Sequence, residues 1–311
     1  MAKRLSMLVA TLLVASFAIY GALYLAPGSP IAALTGGRTL PPQAMAEITA
    51  RYHLDEPFLV RYWIWLTSAL HGDLGESIPL HENVSTLIAQ RIGVTIQLVF
   101  LTAVIIVIVG VGIGIVGALG RGAIDVGVLF AAAVSAALPA FAAAVILQFV
   151  FGVTLGWFPV LGTGDGFLDS MRHLTMPAIA LAATSVALVA RVTRTAVREE
   201  LDKEHVQTAI SRGLPWSGVV RRHVLRNAAI PITTVVGITV ASLIALSAVV
   251  ETAFGLNGLG AYLVQAAQNK DFAVVQGISL VLVFAFVVTN VVVDITYALL
   301  DPRVTLGSRA Q

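Results

Sequence analysis

The sequence predicts an all-α polytopic membrane protein with six transmembrane helices, and three observations carry that expectation. First, 58% of the 311 residues are hydrophobic and 12% charged, with a mean hydropathy of +0.90, so the chain lacks the polar surface a soluble domain of this length needs. Second, six intervals free of charge are each about long enough to cross a bilayer. Third, lysine and arginine fall unevenly on the two sides those intervals define. No cysteine is present, which excludes disulfides, thiolate metal sites and a cysteine nucleophile.

Lys3 and Arg4 precede the first span, Leu5 to Ala26. At about 1.5 Å per residue it covers a hydrocarbon core of roughly 30 Å, and it is too long for the apolar region of a cleaved signal peptide, so it is expected to be retained. Residues 27–91 form a polar region with interfacial helices, expected outside the membrane. Pro27-Gly28-Ser29-Pro30 ends the span, Pro41 and Pro42 open a short helix towards Arg51, and Pro57, behind Asp55 and Glu56, opens another. On that second helix Phe58, Tyr62, Trp63, Trp65, Leu66 and Leu70 mix apolar bodies with polar tips, which suits a membrane interface.

Residues 92–311 hold the other five spans: Ile92 to Gly120, Val126 to about Phe151, about His173 to Ala190, Asn227 to Val250, and Phe272 to Val293 with Asp294 near its end. The fourth is short unless it continues helically towards Thr195. Pro139 and Pro177 offer kinks. With the N-terminus inside, the inner segments carry thirteen of the nineteen lysines and arginines, which favours cytoplasmic N- and C-termini.

The largest polar stretch on that inner side runs from Arg191 to Arg226. Within it, Asp202 to Ser211 reads as a short helix ended by Gly213, and Pro215 restarts a second one. On the second, Trp216, Val219, Val220 and Val224 fall on one face expected to pack down, while Arg221, Arg222 and Arg226 stay wet.

Enzyme motifs fail one by one. Gly112-Ile113-Gly114-Ile115-Val116-Gly117 satisfies G-x-G-x-x-G, but it lies inside the second span with no preceding strand, so Gly110 and Gly114 read as small residues that let helices approach closely. His81-Glu82 lacks a second histidine at position 85, which is Ser, and no G-x-S-x-G elbow occurs. His173 and His223, at span ends, read as interfacial hydrogen-bonding groups. A Walker A loop needs Gly before its Lys, whereas Lys3, Lys203 and Lys270 follow Ala, Asp and Asn. The chain carries no P-loop of its own. Polar residues inside spans are candidates for a translocation pathway: Gln97, Ser135, Gln148, Thr184, Ser185, Ser242 and Asn290, beside Thr95, Ser247 and Thr289. Each also fits an interhelix hydrogen bond.

The inner segment resembles the cytoplasmic loop of permease subunits in the oligopeptide/dipeptide family of ABC importers. The residues that carry the resemblance are Arg191, Thr193, Arg194, Glu200, Thr208, Ala209, Gly213, Leu214, Arg222, His223, Leu225, Arg226, Asn227 and Pro231. Ala209 and Gly213 match the core of the importers' EAA loop, with Gln207 in place of its acidic residue and Thr208 in place of its first alanine. Similar stretches run from Leu54-Asp55-Glu56-Pro57 through Gly72-Asp73-Leu74-Gly75-Glu76-Ser77, from Val250-Glu251-Thr252-Ala253-Phe254 to Gly258-Leu259-Gly260, and from Asp294 to Val304. Ser29 stands where the family has Asp, and Leu256-Asn257 departs from an aromatic-Pro pair.

The resemblance implies a type I ABC importer permease fold and a transport subunit, not an enzyme, that forms half of a pathway for di- or oligopeptides. It implies as partners a second, non-identical permease, two ATPase subunits that hold the ATP and Mg, and an extracytoplasmic substrate-binding protein, all at a bacterial cytoplasmic membrane. Glu204, Thr208, Ala209, Gly213, Leu214, Arg222, His223, Arg226 and Asn227 would form the ATPase-coupling loop. An importer of nickel, haem or another small solute shares this pattern. An ATP-independent secondary transporter is disfavoured by the loop and by the lack of an inverted repeat.

Overall fold

The computed structural model describes residues 2–25, 43, 49, 55–77, 79–120 and 122–300, which are helical apart from a two-stranded ribbon, Glu76–Ser77 (β1) with Glu82–Asn83 (β2), and connecting turns. The expected turn at Pro27 to Pro30, the helix from Pro41, Arg121 and the tail beyond Leu300 lie outside the described residues. The long helices are α1 (Ala2–Leu25), α3 (Val84–Leu119), α6 (Phe167–Leu201), α8 (Trp216–Ala253) and α10 (Phe272–Leu300). The shorter ones are α2 (Phe58–Leu70), α4 (Ala123–Ala137), α5 (Ala140–Thr154), α7 (Glu204–Ser211) and α9 (Leu259–Gln268). Among the described residues five helices are long and apolar enough to cross a membrane, and α4 with α5, bent by 100° at their junction, makes a sixth span when counted together. Two compact units result, residues 1–93 with 257–287 and residues 94–256 with 288–311.

In the first unit α2 begins after Pro57, as expected, and is pinned to α1 by aromatic contacts. Phe17 meets Phe58 and Tyr62 edge-on at 5.6 and 5.2 Å, Tyr20 stacks at a tilt on Trp65, and the Ser16 and Tyr62 hydroxyls lie 2.9 Å apart. Val84, Leu87 and Ile88 of α3 pack on Leu259, Tyr262 and Ala266 of α9 and on Val274 and Ile278 of α10. Gly277 permits that approach, since a Cβ there would stand 2.6 Å from Val84 Cγ1. The second span therefore starts eight residues earlier than charge spacing suggests. Arg91 is accommodated inside it because its guanidinium sits 4.0 Å over the Tyr262 ring and donates to the Leu87 carbonyl at 2.9 Å.

Asp271 precedes α10 and caps it, with Ser77 Oγ donating to its carboxylate at 2.6 Å and the Val274 N–H at 3.4 Å. Burial pushes the Asp271 carboxyl above the ordinary carboxylate range, against the pull of those two bonds.

In the second unit α6 is the central element. Leu174, Met176 and Leu181 of α6 meet Leu98 and Ile106 of α3, Ala143 and Ala144 of α5, Leu243 and Val250 of α8, and Phe254 just past its end. Glycines of α3 set the distances. A Cβ at Gly110 would lie 3.1 Å from Val189, one at Gly114 2.5 Å from Thr193 Cβ and 2.7 Å from the Ala190 carbonyl, and one at Gly117 2.8 Å from Val128. The close-approach reading of Gly110 and Gly114 thus holds, with α6 as the partner.

Three span expectations need correction. The fourth span is a 35-residue helix, nearly twice the charge-free interval, because Arg194 and Arg198 near its end are paired. Asp125, in the first turn of α4, accepts from Arg194 Nε and Nη2 at 2.5 and 2.8 Å and lies 2.9 Å from Arg198, which also reaches the Gly117 and Gly120 carbonyls at the end of α3. The fifth span runs without interruption from Trp216, so the second of the two expected short helices is its opening. The third is broken at Leu138-Pro139, where the Pro ring cannot donate to the preceding turn. The break is held by α6, where the Ala183 carbonyl accepts from Ser135 Oγ at 2.7 Å and Thr184 Oγ1 donates to the Leu138 carbonyl at 3.2 Å.

Two outcomes follow for purified protein. Gly114→Ala should cost about 1–3 kcal/mol through overpacking, whereas Gly112→Ala, with open space around its Cβ, should be neutral or slightly stabilising; melting temperatures in detergent check the contrast. Because Asp271 binds its proton more tightly folded than unfolded, its contribution to stability falls as pH rises from the ordinary carboxylate pKa through the raised one. Asp271→Asn should remove that pH dependence from the unfolding curve above the ordinary carboxylate pKa.

Candidate functional site

The candidate site is the elbow from the end of α6 through α7 to the opening of α8. Its construction follows from two turns and a proline. The Asp202-Lys203 turn ends α6 and Glu204 begins α7. After Ser211 the chain reverses through Gly213 at φ +74°, a left-handed conformation that glycine adopts without strain, with its N–H on the Ile210 carbonyl at 2.9 Å. Pro215, φ −60°, then precedes the first turn of α8, and the Gly218 and Val219 N–H groups bond its carbonyl at 2.8 and 3.0 Å.

Residues 220–224 form a π-turn, in which residues five apart share a face. Val219 and Val224 are both fully buried, and with Ala228 and Ile232 they pack against Val206 and Ala209 of α7, Ala196 and Val197 of α6, and Ala118 of α3. The elbow is thus stapled by a dry apolar contact on its inner side. Val206 and Ala209 lie three apart on α7, so the opposite side of that helix faces out.

That outer side carries Glu204, Thr208, Ile210, Arg212, Leu214, Trp216, Arg221, Arg222, Arg226 and Asn227, all exposed. Val219 and Val224 pack down as expected, but Trp216, the first residue of α8, is 54% exposed and does not join that face. His223 is half-buried. Its carbonyl accepts from Asn227 Nδ2 at 3.0 Å, and the same amide lies 3.2 Å from His205 Nε2. Glu200, buried at the end of α6, is paired with Lys203.

The residues singled out for a pathway fall in several places. Ser135 and Thr184 bracket the α4–α5 break, and Gln148 Nε2 donates to the Val160 and Ala253 carbonyls at 3.1 and 3.0 Å. Those three donors are committed to backbone carbonyls. Ser242 Oγ bonds the Thr239 carbonyl within its own helix at 2.7 Å, Ser185 is buried, Asn290 is half-buried, and Gln97 is exposed on α3.

Two polar groups escaped the sequence reading. Glu251, placed just beyond the fifth span, lies inside α8 fully buried and accepts from Thr95 Oγ1 at 2.9 Å. Asp125, read as part of a short connection, is the acid that neutralises Arg194 and Arg198. The signal for Asp125 was its place in the first turn of a helix; that for Glu251 was Gly255, at φ +58° just past the helix, which marks a stop beyond Val250.

A bundle of long apolar helices with an amphipathic elbow projecting from it is the architecture of a membrane-embedded transport subunit. The solved structure of the MetNI methionine ABC transporter in inward-facing conformations contains a chain of the same fold, with a TM-score of 0.55 at 17% identity over 69% of this chain and 96% of that one. Residues 110–306 match the family described as the inner membrane component of binding-protein-dependent transport systems, and residues 1–99 match its N-terminal family. The chain belongs to that family. It is a multi-pass permease subunit of an ABC importer and not itself an enzyme, and membership brings with it partner permease and ATPase subunits.

Relatives of similar length include a Brucella suis biovar 1 (strain 1330) chain provisionally named a peptide transport system permease protein, 39% identical over 97% of both chains. The di/tripeptide transport system permease protein DppB of Pseudomonas aeruginosa (strain UCBPP-PA14) is 34% identical, again over 97% of each. The dipeptide transport system permease protein DppB of Alkalihalophilus pseudofirmus is 31% identical over 97% of this chain and 98% of its own.

The packing of the elbow makes a stability contrast. Val224→Ala should cost about 2 kcal/mol by removing buried methyl groups, whereas Trp216→Ala should leave the melting temperature of the isolated chain nearly unchanged.

Proposed function

We propose that this chain is one of two non-identical permease subunits of a di- or oligopeptide importer, and that residues 191–226 couple it to a pair of ATPases. Peptide is favoured as the solute because relatives matched along almost their whole length carry peptide in their names. The observation that carries the coupling role is the two-sidedness of the elbow. Val206, Ala209, Val219 and Val224 tie it to the bundle, while Ile210, Leu214 and Trp216, interleaved with Arg212, Arg221 and Arg222, face outwards. Exposed aromatic and aliphatic groups among arginines fit a protein partner better than bulk water.

In this reading both termini are cytoplasmic, the membrane is the bacterial cytoplasmic membrane, and an extracytoplasmic binding protein delivers the solute to the opposite face. ATP and Mg reside on the ATPase subunits. Their closure moves α7, and the apolar staple passes that movement to α6 and α8 as rigid bodies. Among the pathway candidates, Gln97 is the one with an exposed amide available to solute, whereas Ser135, Gln148 and Thr184 maintain the break and the end of α8.

Gly213→Pro tests the coupling. Proline cannot adopt φ +74° and removes the N–H bonded to Ile210, so α7 loses its orientation while the spans keep theirs. The complex should still co-purify with its ATPases, but peptide-loaded binding protein should no longer raise ATP turnover. Stimulation equal to that of the unmodified complex would reject the coupling role.

A further inference from the structure

The elbow contains a hydrogen-bonding mismatch that packing does not explain. Glu200 Oε2 is buried without a hydrogen-bond partner, while Oε1 is held by Lys203. His205 Nε2 stands 3.7 Å from that orphan oxygen, 3.2 Å from Asn227 Nδ2 and 3.5 Å from the His223 carbonyl. These neighbours make opposite demands. The amide of Asn227 is a donor, so it requires an unprotonated Nε2, whereas the carboxylate and the carbonyl require Nε2–H. His205 is itself 42% exposed, so its proton exchanges with solvent.

We propose that His205 is a proton-operated latch that positions α7, anchoring it to Asn227 of α8 when neutral and to Glu200 of α6 when charged. In the neutral form Nε2 accepts from Asn227 Nδ2, and α7 is tied to the opening of the fifth span. Protonation removes the acceptor and supplies a charged donor. Asn227 then keeps only its bond to the His223 carbonyl at 3.0 Å, and the cation closes on the unpaired Glu200 Oε2.

The charges around the site set the balance. Glu200 and the neighbouring Glu204 favour the cation; Lys203, which shares Glu200, opposes it, as do Arg221, Arg222 and Arg226 on the exposed side of α8 and the His223 ring, 6.5 Å away. The latch deepens the coupling role proposed above and rests on it, since α7 is the element that would receive the ATPase movement.

The test is hydrogen–deuterium exchange on the assembled transporter between about pH 5 and pH 8, read as protection factors so that the intrinsic pH dependence of exchange cancels. On acidification, protection should fall about two- to fivefold around residues 223–227 and rise by a similar factor around 200–206, the range that a partly exposed ion pair supplies. His205→Gln should show the neutral pattern throughout and His205→Arg the acidic one. Where either variant fails to assemble, Glu200→Gln should flatten the profile by removing the acceptor charge.

Protection profiles in His205→Gln or Glu200→Gln that follow pH as the unmodified complex does would overturn the latch. The exchange readout requires no solute, so its failure is separate from failure of the coupling reading, which Gly213→Pro decides.

Discussion

Close approach of α3 to α6 is the contact on which the second unit depends. Lipid tails are as apolar as leucine, so helices in a bilayer gain little from hiding apolar surface from each other and rely on packing and on hydrogen bonds. Gly110 and Gly114 remove the Cβ atoms that would strike Val189, Thr193 and the Ala190 carbonyl, and Gly117 does the same towards Val128 of α4. Three glycines on one side of one helix thereby place both α6 and α4. The Asp125–Arg194–Arg198 cluster then closes the same end of the bundle with charge.

Around α6 the polar groups serve geometry. Thr184 and Ser135 satisfy and exploit the backbone groups that a break at Leu138-Pro139 leaves behind, and Gln148 ties α5 to the carbonyl of Ala253. A helix can turn through 100° within an apolar protein only where such donors stand ready, because an unsatisfied carbonyl has no water to bond. Burial of Glu251 against Thr95 follows the same rule, since a carboxylate at 0% exposure needs a donor.

Much of this was legible in the residues. Pro57, Gly213 and Pro215 mark boundaries because ring closure and a missing Cβ restrict or free the backbone whatever the surroundings. The same holds for the close-packing role of Gly110 and Gly114. Span limits drawn from charge went wrong where a charge found a tertiary partner: Arg91 over Tyr262, Arg194 and Arg198 on Asp125. Local spacing cannot reveal such partners, because they lie from 69 to more than 150 positions away. Trp216 was misplaced for a different reason. Helical spacing puts it on the face of Val219 and Val224, which are buried as expected, but it opens α8 and is left 54% exposed. On the second helix of the elbow the sequence separated the packed valines from the exposed arginines, with Trp216 as the exception, whereas the packed side of α7, Val206 and Ala209, came from the structure.

The unbroken run from Trp216 to Ala253 has a mechanical meaning. Its 38 residues measure roughly 57 Å at about 1.5 Å per residue, nearly twice a hydrocarbon core of about 30 Å. The π-turn at 220–224 and Pro231 both lie in its first half, the two places where such a helix bends, so the run from Ile232 to Ala253 is the part that carries a tilt onward as one piece towards the end that bears Glu251. One continuous stretch of backbone thus joins Trp216 to Glu251, with its compliance gathered at the Trp216 end.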